Sequence, residues 1–311
     1  MYTKVRLASQ SLVVALLLLL MLSGCYSPWG ALAQPTPTPE PAPDPNWSSE
    51  QLATALYSLY PNNRWLALKY LKERGPAAAP AVPALIEILH TSPSVDMRVE
   101  VASILGFIGP GAKDAVPALI DQLRTGRTRD DKLVSTGVLG DIGPEATQAV
   151  PALIHALTED EDDLVRSTAA SSLGKISSDK ELVETFITQI QVEKSERVQI
   201  GIAEGLCAMG ASARTTVPYL AKNLWWPSDF DAVKQKAAKA IATIAGVEFY
   251  DDDCAKGGYT EFVDGELRTV VEAREWWTNI GQYQDWSLPE ISDDAATAQT
   301  PNSLPISTLP P

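Results

Sequence analysis

The chain has 311 residues, 45% of them apolar and 21% charged, with 25 Lys and Arg against 39 Asp and Glu and a formal charge of −14. That is apolar material for one large domain or two ordinary ones, and the acidic balance argues against a nucleic-acid partner, because binding a polyanion rests on a basic face that releases counterions. Two histidines, His90 and His155, and three cysteines, Cys25, Cys207 and Cys254, leave little for a metal site or a nucleophile–base pair, so no metal, cofactor or small-molecule substrate is expected.

The first element in chain order is an export address. Lys4 and Arg6 precede an uninterrupted apolar run from Leu12 to Leu22. In a helix that run rises only about 16 Å, roughly half of a bilayer's hydrocarbon core, so it is a secretory h-region and not a span. Leu22-Ser23-Gly24-Cys25 resembles the lipobox of bacterial lipoproteins. The resemblance implies a signal peptide over 1–24, acylation of Cys25 and attachment to a membrane, since two or more acyl chains anchor stably. The competing cleavage, after Ala31-Leu32-Ala33, releases a soluble protein but falls 11 residues beyond the h-region. Tyr26 stands where the enterobacterial pattern carries an aspartate for inner-membrane retention, which leaves the outer membrane open as a destination.

Residues 25–46 follow as a lipidated cysteine and linker, with proline at 35, 37, 39, 41, 43 and 45. Each proline fixes its own φ and biases its predecessor to extended geometry, giving a polyproline II spacer on the order of 40 Å. A plain disordered terminus is the competing reading. Directly after a lipobox, a stalk that holds a domain clear of a membrane is favoured.

From Trp47 to Gly246 the chain repeats itself. Ala81-Val82-Pro83-Ala84-Leu85-Ile86 returns at 115–120 and at 149–154, and a worn copy starts at Thr216; Pro83, Pro117 and Pro151 are 34 residues apart. A second ladder runs Leu105-Gly106, Leu139-Gly140, Leu173-Gly174 and Leu206-Cys207, and seven residues before each leading leucine stands a long polar side chain. With the outer units these are Arg64, Arg98, Lys132, Arg166, Gln199 and Lys234. A fixed period of this length marks a stacked array.

Each period reads as a helix pair. The first helix opens on its proline, where a missing N–H is no loss. The second begins near Asp96, Asp130, Asp163, Glu196 or Asp231, carries Val99, Ala102, Leu105 and Ile108 on one face, and stops at a glycine expected to be left-handed (Gly75, Gly109, Gly143, Gly210). Gly106, Gly140 and Gly174 fall inside the second helix, at about 1 kcal/mol each against alanine, and are expected to allow close helix approach. This pattern resembles HEAT repeats of the phycobilisome-lyase subtype common in cyanobacterial proteins, over about six units. The resemblance implies an all-α, right-handed α-solenoid with the second helices lining its concave side.

Residues 247–286 read as a C-terminal cap with one helix, 266–280, whose Trp276 and Trp277, with Tyr283 and Trp286, cover the open end. Residues 287–311, with five prolines and no Lys or Arg, read as a disordered tail.

The column Arg64, Arg98, Lys132, Arg166 and Lys234 reads either as an anion-binding stripe or as an inter-repeat ladder, with the helix-start aspartates as partners. The acidic loop 158–163 and Asp251-Asp252-Asp253 suggest a hard cation, but acids at a helix start are ordinarily solvated, and position 12 counted from Asp251 is Phe262 where an EF-hand needs glutamate. Cys207 sits in the small-residue column, and in an oxidising compartment it has a possible disulfide partner in Cys254.

Two enzyme families share the expected architecture. Deoxyhypusine hydroxylase holds iron through His-Glu pairs, whereas here His90 is followed by Thr91 and His155 by Ala156. Bilin lyases are closer in repeat sequence but act on cytoplasmic phycobiliproteins. The expectation is therefore a non-enzymatic, lipid-anchored module that binds a protein partner through its concave face at the periplasmic or lumenal membrane surface. A lyase-like enzyme or lyase accessory is the alternative.

Overall fold

The computed structural model describes residues 40–225, 232–248, 262–263 and 266–286. Packing divides the chain between Ala42 and Pro43, and the architecture below is that of the second part, from Pro43 onwards.

That part is an α-solenoid of six helix pairs in sequence order. They are α1 (Ser49–Ala55) with α2 (Pro61–Arg74), α3 (Val82–Thr91) with α4 (Val95–Ile108), and α5 (Val116–Thr125) with α6 (Arg129–Ile142). The others are α7 (Val150–Glu159) with α8 (Asp163–Ile176), α9 (Lys180–Val192) with α10 (Glu196–Met209), and α11 (Val217–Asn223) with α12 (Ala232–Ala245). Cys25 and the tail lie outside the described residues. So does most of the linker, but its last residues are fixed: Arg74 of α2 donates to the carbonyls of Pro45 (2.9 Å) and Trp47.

The joints between units differ from the expected simple stop. Gly75, Gly109, Gly143 and Gly210 do adopt positive φ, from +53° to +73°. Their ψ lies between −125° and −142°, a corner open to glycine and outside the left-handed helical well. From each glycine a seven-residue 3₁₀ turn runs into the next first helix (Gly75–Ala81, Gly109–Ala115, Gly143–Ala149, Gly210–Thr216). That turn supplies the carbonyls for the helix's first N–H groups, as Ala79 does for Val82, which explains why these helices need no side-chain cap. At the fourth joint Ser177 is extended (φ −143°, ψ 153°) and no 3₁₀ turn forms; α9 starts at once and runs 13 residues.

Three of the second helices are capped by side chains, whereas α2 and α10 start after Tyr60 and Ser195 without such a bond. Ser94 accepts from Met97 N, Thr128 forms a reciprocal capping box with Asp131, and Asp162 accepts from Leu164 N and Val165 N. The acids expected at these starts, Asp96, Asp130, Asp163 and Glu196, stand in the first turn instead, where they complement the helix dipole. Asp231 lies outside the described residues.

One continuous core runs between the two rows of helices, with Leu85, Leu105, Leu119, Leu139, Leu153, Leu173 and Leu206 each fully buried. Second helices pack closely on one another along the array, while first helices touch only sparsely. Small residues make this possible. A methyl group built on Gly174 would overlap the carbonyl of Gly205 in the next unit, and one on Gly140 would lie 2.9 Å from Ser172 Cα. At Gly106 the approach is looser, 3.3 Å to Val138 Cγ2.

The cap helix, α13, spans Arg268–Asn279 and not 266–280. Glu266 and Leu267 pair instead with Val263 and Phe262 in a two-residue antiparallel hairpin, the one strand pair among the described residues. Val270 and Ala273 are fully buried where α13 packs on α12. Trp276, Trp277 and Trp286 cluster with ring centroids 6.0 to 6.4 Å apart, and Trp286 Nε1 donates to Gly281 O (2.8 Å). Tyr283, expected in this cover, is 79% exposed and takes no part.

Candidate binding surface

The basic column is built into the joints. Arg98 donates from Nε and Nη2 to the two carboxylate oxygens of Asp131 (2.9 and 2.7 Å), Lys132 reaches Asp160 (2.8 Å), and Arg166 reaches Glu193 (3.2 and 3.4 Å). Each pair links one unit to the next. The partners are therefore not the helix-start aspartates that the sequence suggested. The same side chains reach back six residues to a carbonyl in the turn that closes their own unit's first helix: Arg64 to Ser58 (2.6 Å), Arg98 to Ser92 (2.9 Å), Arg166 to Asp160 (2.9 Å) and Gln199 to Glu193 (3.0 Å). That spacing satisfies carbonyls that a helix end leaves without partners. Lys234 is likewise buried.

Charges in this row are held firmly. Burial works against ionisation of Asp131, yet hydrogen bonds from Arg98, Thr128 and Gln122 outweigh it and hold the carboxyl below its ordinary value. The hydrogen bond to Asp131 pushes Arg98 upward. In the acidic loop, Asp160 is taken by Lys132, while Asp162 caps α8 and pairs with Arg129. The Arg129 hydrogen bond is the main reason that Asp162 titrates low. These oxygens serve as caps and ion-pair partners, and among the described residues no cluster of three or more acids, histidines and cysteines has metal-binding geometry. Cys207 is a free thiol 3.3 Å from Thr243 Oγ1; Cys254 and Asp251–Asp253 lie outside the described residues.

The second helices also carry apolar side chains that reach the surface. Val99, expected in the core with Ala102 and Leu105, is only half-buried where those two are buried. Its equivalents one unit either side are Trp65, 44% exposed, and the half-buried Leu133; Leu66 and Val134 stand next to these, and Ile200 continues the column beyond Ser167. Together they form an apolar lane over the first three units, interrupted at Ser167, in which Leu133 and Val134 also pack partly against the core. Phe107, 55% exposed with Lys72 over its ring at 5.3 Å, stands at one border, where Lys72–Glu100, Asp141–Lys175 and Glu204–Lys236 also pair between neighbouring helices. Sequence periodicity missed the lane because it assigned Val99 to the core face. The cue was available in Trp65, Val99, Leu133 and Ile200, which repeat one place after the basic column.

Fold and surface thus define a helical-repeat array with a partly exposed apolar lane along its closely packed row of helices. Residues 149–179, which span α7 and α8, match the HEAT repeat family. The neighbouring units share their proline, leucine and basic positions with this matched unit. No curated protein matches it. Among solved structures, human deoxyhypusine hydroxylase in complex with glycerol is similar at 19% identity, over 76% of this chain and 96% of that one, with a TM-score of 0.29.

Proposed function

We propose that this protein is a non-catalytic binding or scaffolding module that recognises a protein partner through the apolar lane of its second helices. The lane carries the reading. Apolar side chains left half in solvent at the same register of successive helices offer many small contacts on one rigid surface, the way stacked repeats present extended binding faces. The polar groups beside it are engaged in caps and ion pairs. We further propose that Cys25 is acylated, that the proline segment holds the solenoid off a periplasmic or lumenal membrane surface, and that the repeats are of the phycobilisome-lyase subtype. The support for these is the sequence: the lipobox-like 22–25, the proline spacing and the recurring hexapeptide.

A photo-crosslinking side chain placed at Val99 or Leu133 in intact cells tests the lane. A discrete crosslinked protein is expected there and not from Glu87, which lies on the first-helix side; equal capture from both faces rules the lane out. Incorporation of labelled palmitate into wild type but not Cys25→Ala tests the anchor, and soluble secretion of the wild type overturns it.

A further inference from the structure

We propose that the turn edge between the third and fourth units is a second recognition site, one that takes a polypeptide segment carrying both an acidic and a basic side chain. A groove of about 810 Å³ opens there between the C-terminal halves of α5 and α7 and the turns that follow them. Leu123, Ala152 and Ala156 contribute apolar surface to it.

Two guanidiniums set it apart. Every other arginine among the described residues has a carboxylate or carbonyl partner. Arg124 and Arg127 have none, both are exposed, and both line this groove. In a chain with 39 acidic residues, two unpaired arginines on one groove are a ready site for a carboxylate, which a planar guanidinium binds in two-point fashion. The glycine between them is closely packed against the end of α5 and the start of α6. At the place of Gly126 the neighbouring units carry Ser92, Asp160 and Glu193, and the two acids pair with the basic column of the unit before. A Cβ on Gly126 would lie 2.5 Å from Gln122 O.

A simple anion does not fit. Four acids, Glu159 to Asp162, line the same groove. Asp160 and Asp162 are consumed by Lys132 and Arg129, which leaves Glu159 and Glu161, both exposed, in the same groove as Arg124 and Arg127. The free charges are thus two of each sign, and their complement carries both signs. None of the exposed large apolar side chains of the described residues lies in this groove, so nothing here inserts into a bilayer and a polypeptide is favoured over a zwitterionic lipid surface.

The test is fluorescence polarisation of a labelled peptide of repeated Glu-Ala-Ala-Lys against the full chain. All-acidic and all-basic peptides of equal length and phosphatidylethanolamine vesicles serve as competitors. The mixed peptide is expected to bind, and both Arg124→Ala with Arg127→Ala and Glu159→Gln with Glu161→Gln are expected to weaken it about tenfold or more. Circular dichroism and the melting temperature should stay unchanged, because these side chains have no partners to lose. Absence of binding by the mixed peptide, binding indifferent to the arginine pair, or stronger competition by the acidic peptide or the vesicles overturns the proposal. Leu133→Asp, in the apolar lane, should leave peptide binding intact, so failure here and failure of the lane are separate results.

Discussion

Arg98 and Asp131, 33 residues apart and in successive units, form a two-point ion pair in which the arginine is 5% and the aspartate 1% exposed. Asp131 also accepts from Gln122 Nε2, Thr128 N and Thr128 Oγ1. A single carboxylate therefore caps α6, fixes α5 against it and ties the third unit to the second.

Removing one partner of such a pair leaves a buried charge without compensation, and Asp131→Ala is expected to destabilise the array by about 3–5 kcal/mol. Arg98→Met combined with Asp131→Leu should recover most of that loss, because paired burial gains little over apolar packing. Urea unfolding of the three variants checks it. A double variant no better than Asp131→Ala would show that the hydrogen bonds to Thr128 and Gln122 outweigh the charge pair.

The same pair sets a pH dependence. The folded carboxyl of Asp131 titrates below its ordinary value, so its contribution is present above the unfolded value of about 3.9 and is lost as pH falls through the folded one. Wild type should accordingly lose stability relative to the double variant only below about pH 4. Parallel acid-unfolding curves would contradict this.

Two glycines in second helices should respond to alanine with opposite signs. At Gly137 a Cβ finds Thr168 Cγ2 at an ordinary 3.7 Å, and Gly137→Ala is expected to stabilise by up to about 1 kcal/mol through helix propensity alone. At Gly174 the added methyl meets the backbone of Gly205, which cannot swing aside, and Gly174→Ala should destabilise by about 1–3 kcal/mol. Thermal melts of the two single variants give the comparison.

These glycines also mark what the sequence made legible. A 34-residue period in two columns was enough to place the helix pairs, and Gly140 and Gly174 inside them predicted close approach. The 3₁₀ joints were not legible, because Pro76, Pro110 and Pro144 argue only against continuing an α-helix and are silent on what replaces it. The basic column was visible, but its partners depend on where each helix starts. A shift of one place, from Asp130 to Asp131, decides which carboxylate turns inward. The turn-edge groove was hidden for another reason: nothing in a sequence says that Arg124 and Arg127 lack partners until every other pairing has been assigned.

Tyr57 offers a local probe of the first unit. Burial, followed by the hydrogen bond to Glu87 Oε2 (2.6 Å), pushes its hydroxyl up to about 12. Raised above its unfolded value, the group favours the folded state below about pH 10 and loses that contribution as pH rises through the folded value. Ultraviolet titration should show one tyrosine ionising late, and Glu87→Gln should bring it down. Tyrosines that all ionise together near the ordinary value would mean that the turn after α1 is not docked on α3 through this bond.

At the other end the cap should behave as a separable unit. Arg214 lies 4.9 Å over the ring of Trp286, and Arg274 donates to Leu224 O (2.8 Å) while covering Trp225 at 5.6 Å. These contacts join α13 and its tryptophan cluster to the sixth unit, whose first helix is only seven residues long. Trp286 is 8% exposed, and Trp286→Ala is expected to cost on the order of 3–5 kcal/mol locally. In a solenoid each unit contacts only its neighbours, so that loss should not spread along the array. Amide exchange should rise in α12 and α13 and stay unchanged in α4 and α6, where the Arg98–Asp131 pair holds. A uniform rise along all six units would mean that the array unfolds as one cooperative body and that the cap stabilises it throughout.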